Sequence, residues 1–327
     1  MDRKIRFSTV LGNFGNQPDR FCSSGYKEDK TIEDMFADAA KVNDLSGLEL
    51  VGTWHLNEKN IDQVKALKNK YNFKIPIVVV DTFAQKRWGN GSFSSKDKEI
   101  RKEAVKEVKK YMDIASELDC KLIDIWPGQD GYDYSFQADY TADTKNLIEG
   151  LSECASHRND VKIGLEYKPK EPRTHCYVSS LAKALWLIEK TGKENIGVVL
   201  DVGHALYAYE NIAESVALCS MYGNKLFHLH LNDNYRLWDD DMMVGSVHLQ
   251  EYLELLYWLK KTGYAGWYSL DIFPYREDGI GSAKESISWL KEMIKAVDSI
   301  PDAEVDKVIN SGDAVKSLAL MRKMIFK

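Results

Sequence analysis

The segments IGLEYKP (163–169), IGVVLDVGH (196–204), LFHLHLND (226–233) and WYSLDIFP (267–274) decide the fold of this chain. Each is a short apolar run that finishes on an acid or an imidazole. Glu166 ends the first, Asp201 and His204 the second, His230 the third and Asp271 the fourth; Asp239 and Asp241 follow in the loop after the third. Strands that repeatedly deliver such side chains at their carboxyl ends are building a site rather than a core. In a closed parallel barrel those ends converge on one face, the face that carries active sites. Carboxylates and imidazoles crowded there repel and stay hydrated unless cations compensate them. The pattern therefore predicts two divalent metal ions.

Working outward, further candidate strands occupy 5–11, 47–54, 75–83 and 121–127. Helical patterns near 32–42, 58–71, 97–118, 142–157, 179–192, 210–222, 247–262 and 283–297 alternate with the strands. In KDKEIRKEAVKEVKKYMDIASELD (96–119), Ile100, Ala104, Val105, Val108, Met112 and Ile114 approximate a 3.6-residue period, with Lys and Glu opposite. The strands are apolar on both faces, as burial between a barrel interior and helices requires. These repeats predict an α/β fold, a (β/α)8 TIM barrel over 1–300 with a short C-terminal helical tail over 301–327. A doubly wound open sheet is the alternative, but the first strand–helix turn lacks its glycine-rich phosphate loop. The longest connections, 12–31, 84–96, 128–141 and 233–246, would shape a pocket on the catalytic face.

With 327 residues, 44% hydrophobic and 29% charged, the chain has the composition of a globular protein with ample core. The net charge of −6 argues against a nucleic-acid partner, which wants a basic face. Cys22, Cys120, Cys154, Cys176 and Cys219 are scattered and form neither a disulfide framework nor a thiolate zinc cluster. MDRKIRFSTVLG does not resemble a signal peptide, and no apolar run approaches the ~20 residues of a membrane span. The expectation is a cytoplasmic protein without membrane partners.

Glu166 and Lys168 point to the same side of their strand. The lysine could stabilise an oxygen that gains negative charge, or simply form an ion pair at the mouth. Asp201 and His204 lie in DVGH, where Gly203 lets the chain turn as it leaves the strand. His228 and His230 share a face; His230, nearer the carboxyl end, is the better ligand and His228 the deeper residue, while Asn232 continues the parity. Asp239, Asp240 and Asp241 read either as a solvated acidic loop or, through Asp239 and Asp241, as a grip on one cation. Asp271, between Leu270 and Ile272, would be costly to bury without a partner.

EYKPKEP (166–172), DVGHALY (201–207), KLFHLHLND (225–233), DDDMMVG (239–245) and SLDIF (269–273) resemble, in order, the strand-end blocks of the xylose isomerase-type sugar isomerases. The resemblance extends through FAQKRWGNGSFSSKDKEIRKEA (83–104) and DIWPGQDGYDY (124–134), so it covers nearly the whole barrel. It implies a metal-dependent aldose–ketose isomerase that moves hydrogen as hydride between C1 and C2 of a monosaccharide. One metal would be held by Glu166, Asp201, His230 and Asp271, the other by His204, Asp239 and Asp241, with a carboxylate bridging. Lys168 would contact the substrate's O1 or O2, giving Lys168, His204, Asp239 and Asp241 catalytic roles. His230 and Asp201 depart from true xylose isomerases toward the L-rhamnose isomerase pattern. Gln85 stands where the ring-opening histidine is expected, and Phe273 where a second lysine is. Trp54, Trp88, Trp126 and Phe273 are expected as aromatic walls of the sugar site. Phe21 resembles the aromatic that family members insert into a neighbour's pocket, which implies a homodimer or homotetramer. Imidazoles with paired carboxylates suit Mn2+, with Mg2+ or Co2+ as alternatives.

Three other readings compete. A sugar 3-epimerase of the same superfamily would use one metal and two carboxylates. An abasic-site nuclease would want a basic DNA face. A non-catalytic or partner-dependent barrel subunit would explain Gln85 and Phe273.

Overall fold

Eight strands in the computed structural model, which describes residues 5–326, pair in parallel and close on themselves. They are β1 (Phe7–Val10), β2 (Leu45–Val51), β3 (Val78–Val79), β4 (Leu122–Ile125), β5 (Lys162–Glu166), β6 (Ile196–Asp201), β7 (Leu226–Leu231) and β8 (Tyr268–Leu270). Each neighbours the next in sequence, and β8 returns to β1. Outside them lie α1 (Ile32–Ala39), α2 (Ile61–Lys70), α3 (Lys98–Glu117), α4 (Tyr140–Ala155), α5 (Leu181–Thr191), α6 (Ile212–Met221), α7 (Leu249–Lys261) and α8 (Gly279–Asp298). The chain is thus the (β/α)8 barrel that the alternation predicted.

Local chemistry starts the helices where the pattern placed them. Thr31 and Asp34 form a capping box for α1, and Asp97, Asp139, Ser180, Asn211 and Asp278 each accept first-turn N–H groups of the helix that follows. On α3 the apolar stripe is buried, and Tyr111 at its centre donates to Leu56 O and accepts from Thr53 N. Two strands are shorter than their apolar runs. Pro76 has no N–H to give the ladder, so β3 starts only at Val78. β8 ends at Leu270: Asp271 N still donates to Leu231 O of β7, but Phe273 N turns to Asp241 O of the preceding loop.

Register brings the strand ends to one level, with Asp201 of β6 beside His230 of β7 and Ser269 of β8 beside His230. Because side chains alternate, Val10, Val51, His230 and Asp271 surround the barrel mouth. Two residues earlier on the same strands, Ser8, Glu49, His228 and Ser269 form a buried polar layer beneath. After α8, two helices, Asp302–Ser311 and Ala314–Ile325, occupy the predicted tail. Val305 and Met324 pack into the barrel's core, whereas Val315, Leu318 and Phe326 stay exposed. Among the described residues no helix is long and apolar enough to cross a membrane.

Candidate metal centre

A cavity of about 240 Å³ opens at the carboxyl ends of the strands. That is below the ~300–1,000 Å³ of pockets for drug-sized ligands, and leaves room for a small metabolite. One side of it is apolar, formed by Val10, Val51, Val79, Trp54, Phe83 and Trp126. The other is charged, with Asp124, Glu166, Lys168, Glu171, His204, His230, Asp239, Asp241 and Asp271. The four decisive segments and the 233–246 loop therefore deliver to one place.

The contacts are short and buried. Glu166 lies between the two histidines: His204 Nδ1 is 3.0 Å from its Oε1, and His230 Nδ1 is 3.3 Å from its Oε2 and 3.5 Å from Asp271 Oδ2. His204 Nε2 faces Asp239 Oδ2 at 3.2 Å, and Lys168 Nζ reaches the same oxygen at 2.6 Å and Glu171 Oε2 at 2.5 Å. Burial opposes charge on His204 and His230. Asp201 and Asp239 beside the first, and Glu166 and Glu49 beside the second, nevertheless hold both imidazoles protonated well above the usual range. Lys168 likewise keeps its proton against burial through Asp239 and Glu171. Burial would raise Glu166 and Asp239, but the neighbouring cationic groups hold both below the usual carboxylate range. The remaining carboxyls lack enough positive charge. Burial, with like charges behind it, pushes Asp201 up to about 6, Asp271 up to about 7, and Asp124 and Asp241 well above the ordinary range.

Among the described residues, two groups of ligand-type atoms lie here within 4.8 Å of one another: Glu166, Asp201, His230 and Asp271; and Asp201, His204 and Asp239. The Nδ1 atoms of His204 and His230 and Oδ1 of Asp239 are buried and make no hydrogen bond of acceptable geometry. Nitrogen and oxygen donors aimed at a common space without hydrogen bonds fit a divalent cation. Asp241 stands apart from both groups, accepting instead from Asn232 Nδ2 at 3.3 Å.

The family described as the xylose isomerase-like TIM barrel matches residues 36–293. The chain belongs to that family. A xylose isomerase from Thermus thermophilus is 27% identical over 212 residues, 63% of this chain and 54% of that protein. The match thus spans about half the length of that curated relative. Among solved structures, a D-tagatose 3-epimerase-like protein is 24% identical with a TM-score of 0.69, covering 90% of this chain and 99% of that one. A xylose isomerase domain protein from Alicyclobacillus acidocaldarius is 13% identical with a TM-score of 0.66, covering 90% and 100%. A D-psicose 3-epimerase from Clostridium cellulolyticum H10 is 17% identical with a TM-score of 0.69, covering 89% and 99%. These structures share the fold.

Some expectations for the residues around this cavity need correction. Trp88 does not line the cavity. It is fully buried in the core, and its Nε1–H donates to Asp81 O at 3.0 Å, because the short helical turn 86–88 folds the ring inward. Trp54, Trp126 and Phe273 do line it, joined by Phe83, Trp238 and Tyr275. Gln85 also lies away from the cavity, donating to Asp81 Oδ2 at 3.1 Å. Gly203 is the second residue of a short helix, Val202–Tyr207, and serves close approach rather than a turn: a Cβ there would lie 2.5 Å from Asn232 Oδ1. That oxygen accepts Gly203 N at 2.7 Å, while Asn232 Nδ2 donates to Asp201 Oδ2 at 3.0 Å, so Asn232 locks β7 onto the Asp201 turn. Phe21, in the first long loop, is 84% exposed and does not line the cavity of its own chain.

Sequence reasoning missed Glu49, Asp124 and Glu171. Glu49 and Asp124 had a signal: each is a lone acid on the inward parity of an otherwise apolar strand.

Proposed function

We propose that the protein is a metal-dependent aldose–ketose isomerase acting on a monosaccharide, with an L-rhamnose isomerase-like ligand set. The observation that carries this reading is that the two candidate ligand groups share Asp201. A shared carboxylate is what two adjacent cations need between them. Glu166, Asp201, His230 and Asp271 would hold one, and Asp201, His204 and Asp239, with Asp241 nearby, the other. Divalent cations bound there would supply Lewis-acid polarisation of two neighbouring sugar oxygens.

The chain's own residues set the rest. Lys168 keeps a positive charge beside those oxygens, and its Nζ sits 5.0 Å from the centre of the Trp126 ring, so its position is fixed from two sides. Trp126 packs edge-on to Phe83 at 4.6 Å, and Phe83 to Trp54 at 6.0 Å, forming a wall for the C–H face of a sugar that excludes water. Against that wall a hydride would pass between C1 and C2 within the substrate while the hydroxyl proton passes between O1 and O2. Mn2+ is the favoured ion, and a homodimer or homotetramer the favoured assembly.

One observation favours a second reading, a 3-epimerase with one cation. Asp239 already receives both Lys168 and His204, so its charge is balanced without a second ion. Glu166 and Asp271, which flank His230, would then act as acid and base. Metal content of the Mn2+-reconstituted protein, together with NMR of a sugar panel, tests both. Two ions and aldose–ketose interconversion are expected. One ion with C3-epimerised ketoses would replace the first reading by the second, and no turnover of any sugar would sink both.

A further inference from the structure

Glu49 lies on β2 one layer below the cavity, fully buried, and each of its carboxylate oxygens faces a different histidine. His228 Nε2 is 2.6 Å from Oε1 and His230 Nε2 is 3.0 Å from Oε2. Ser8 Oγ adds a long contact of 3.4 Å. The three residues could in principle form a metal site of their own. Their spacing argues otherwise. Each nitrogen pairs with its own oxygen at hydrogen-bond distance, and both pairs are satisfied without an ion. Two ring nitrogens that each face a different oxygen of one carboxylate at hydrogen-bond distance are placed to donate to it as Nε2–H groups.

That has a consequence for His230. With Nε2–H committed to Glu49, the ring has one other nitrogen, Nδ1, and it is this atom that lies among Glu166 and Asp271. It is buried and makes no hydrogen bond among the described residues. The ring orientation is therefore set from beneath, by a residue that does not itself line the cavity. His228 serves the same end, because its shorter bond holds the Glu49 carboxylate in place.

We propose that Glu49 is a positioning residue: by accepting Nε2–H of His230, with His228 as its anchor, it aims Nδ1 at the cation position of Glu166, Asp201 and Asp271. The inference rests on the metal-centre reading above and adds a residue to it. Carboxylates that receive the second N–H of a metal-binding imidazole typically change metal affinity by roughly 10–100-fold when removed.

The test is Mn2+ titration of the apoprotein, following free Mn2+ by electron paramagnetic resonance, for the wild type, Glu49→Met and Glu49→Gln. Glu49→Met offers no acceptor and is expected to lose about 10–100-fold in affinity at one ion position only. Glu49→Gln, which keeps one carbonyl oxygen, should lose less. A purely structural role would instead lower the melting temperature of the cation-free protein and weaken all Mn2+ sites together. Wild-type affinity in Glu49→Met overturns the proposal and leaves the metal centre standing; a wild type that binds no Mn2+ overturns both. Should Glu49→Met fail to fold, a crystal structure of the Mn2+-loaded wild type decides. Coordination through Nδ1 with Nε2 on Glu49 supports the proposal, and coordination through Nε2 overturns it.

Discussion

Lys168 Nζ lies 2.6 Å from Asp239 Oδ2, and this buried pair ties the end of β5 to the loop after β7. Glu171 holds the same ammonium from the other side at 2.5 Å. The lysine is therefore fixed by charge at the cavity wall rather than swinging in solvent. Both elements depend on it: the loop is pinned where Asp239 can meet His204, and a positive charge is stationed beside the cavity.

Lys168→Met should leave cation stoichiometry unchanged, since Lys168 is not a ligand and Asp239 retains His204 at 3.2 Å. Turnover is expected to fall by ~10²–10³-fold, the usual cost of one lost electrostatic donor. Steady-state kinetics beside metal analysis checks this. Unchanged kcat would reduce Lys168 to a structural ion pair.

The two tryptophans that the sequence treated alike should behave oppositely. Trp88 is sealed in the core, so Trp88→Ala is expected to cost about 3–5 kcal/mol of stability. Trp54 is 51% exposed at the cavity mouth, and Trp54→Ala should raise KM while scarcely moving the melting temperature. Denaturant unfolding and kinetics on the same pair of variants separate the roles.

That contrast marks what the sequence could and could not reveal. Strand ends were legible because each apolar run stops at a group that cannot be buried alone, as at Glu166, Asp201, His230 and Asp271. Barrel closure followed from the repeated βα period. Loop residues were not legible in the same way. Whether Trp88 faces in or out depends on the helical turn 86–88, and whether Asp241 joins Asp239 depends on a loop geometry fixed by Asn232 and by Phe273 N. Glu49 was overlooked because it is visible only by asking which partner a lone inward acid must find. That partner, His228, is 179 residues away in sequence.

Cation dependence should vary with pH in a definite direction. Asp201 and Asp271 have folded pKa values of about 6 and about 7, above the unfolded carboxylate value of 3.8. The cation-free fold therefore loses stability as pH rises from the unfolded value through those folded ones. His204 and His230, also raised, contribute stability that is full below the ordinary imidazole range and lost as pH climbs through their higher folded values. Both effects run the same way. Glu166 and Asp239, which are depressed, contribute above the ordinary carboxylate range and lose that contribution only in acid. A cation takes the place of the protons, so the melting-temperature gap between Mn2+-loaded and chelator-treated protein should be wider at about pH 8 than at about pH 5.5. Proton release on Mn2+ addition, followed in weak buffer, gives the same answer independently. A gap that narrows with rising pH would contradict the assignment of these groups to the cation.

Assembly is the furthest-reaching expectation. Phe21 is 84% exposed, yet the loop that carries it is ordered by Asp19, whose Oδ1 accepts Phe21 N at 2.7 Å and Cys22 N at 2.6 Å, and whose Oδ2 accepts Tyr26 OH at 3.0 Å. Arg20 lies 5.2 Å from the centre of the Phe21 ring. A large apolar side chain held out to solvent on a fixed loop suits insertion into a second copy, because little freedom is left to lose on docking. Val315, Leu318 and Phe326 of the tail add exposed apolar surface elsewhere. Light scattering should show a dimer or tetramer at micromolar protein. If Phe21 completes the partner's pocket, Phe21→Ala should raise KM without changing cation content. Mixing it with Lys168→Met after subunit exchange should then regain activity, because a mixed pair holds one site with both residues intact. A monomer that is fully active at micromolar concentration would refute the shared pocket and the assembly together.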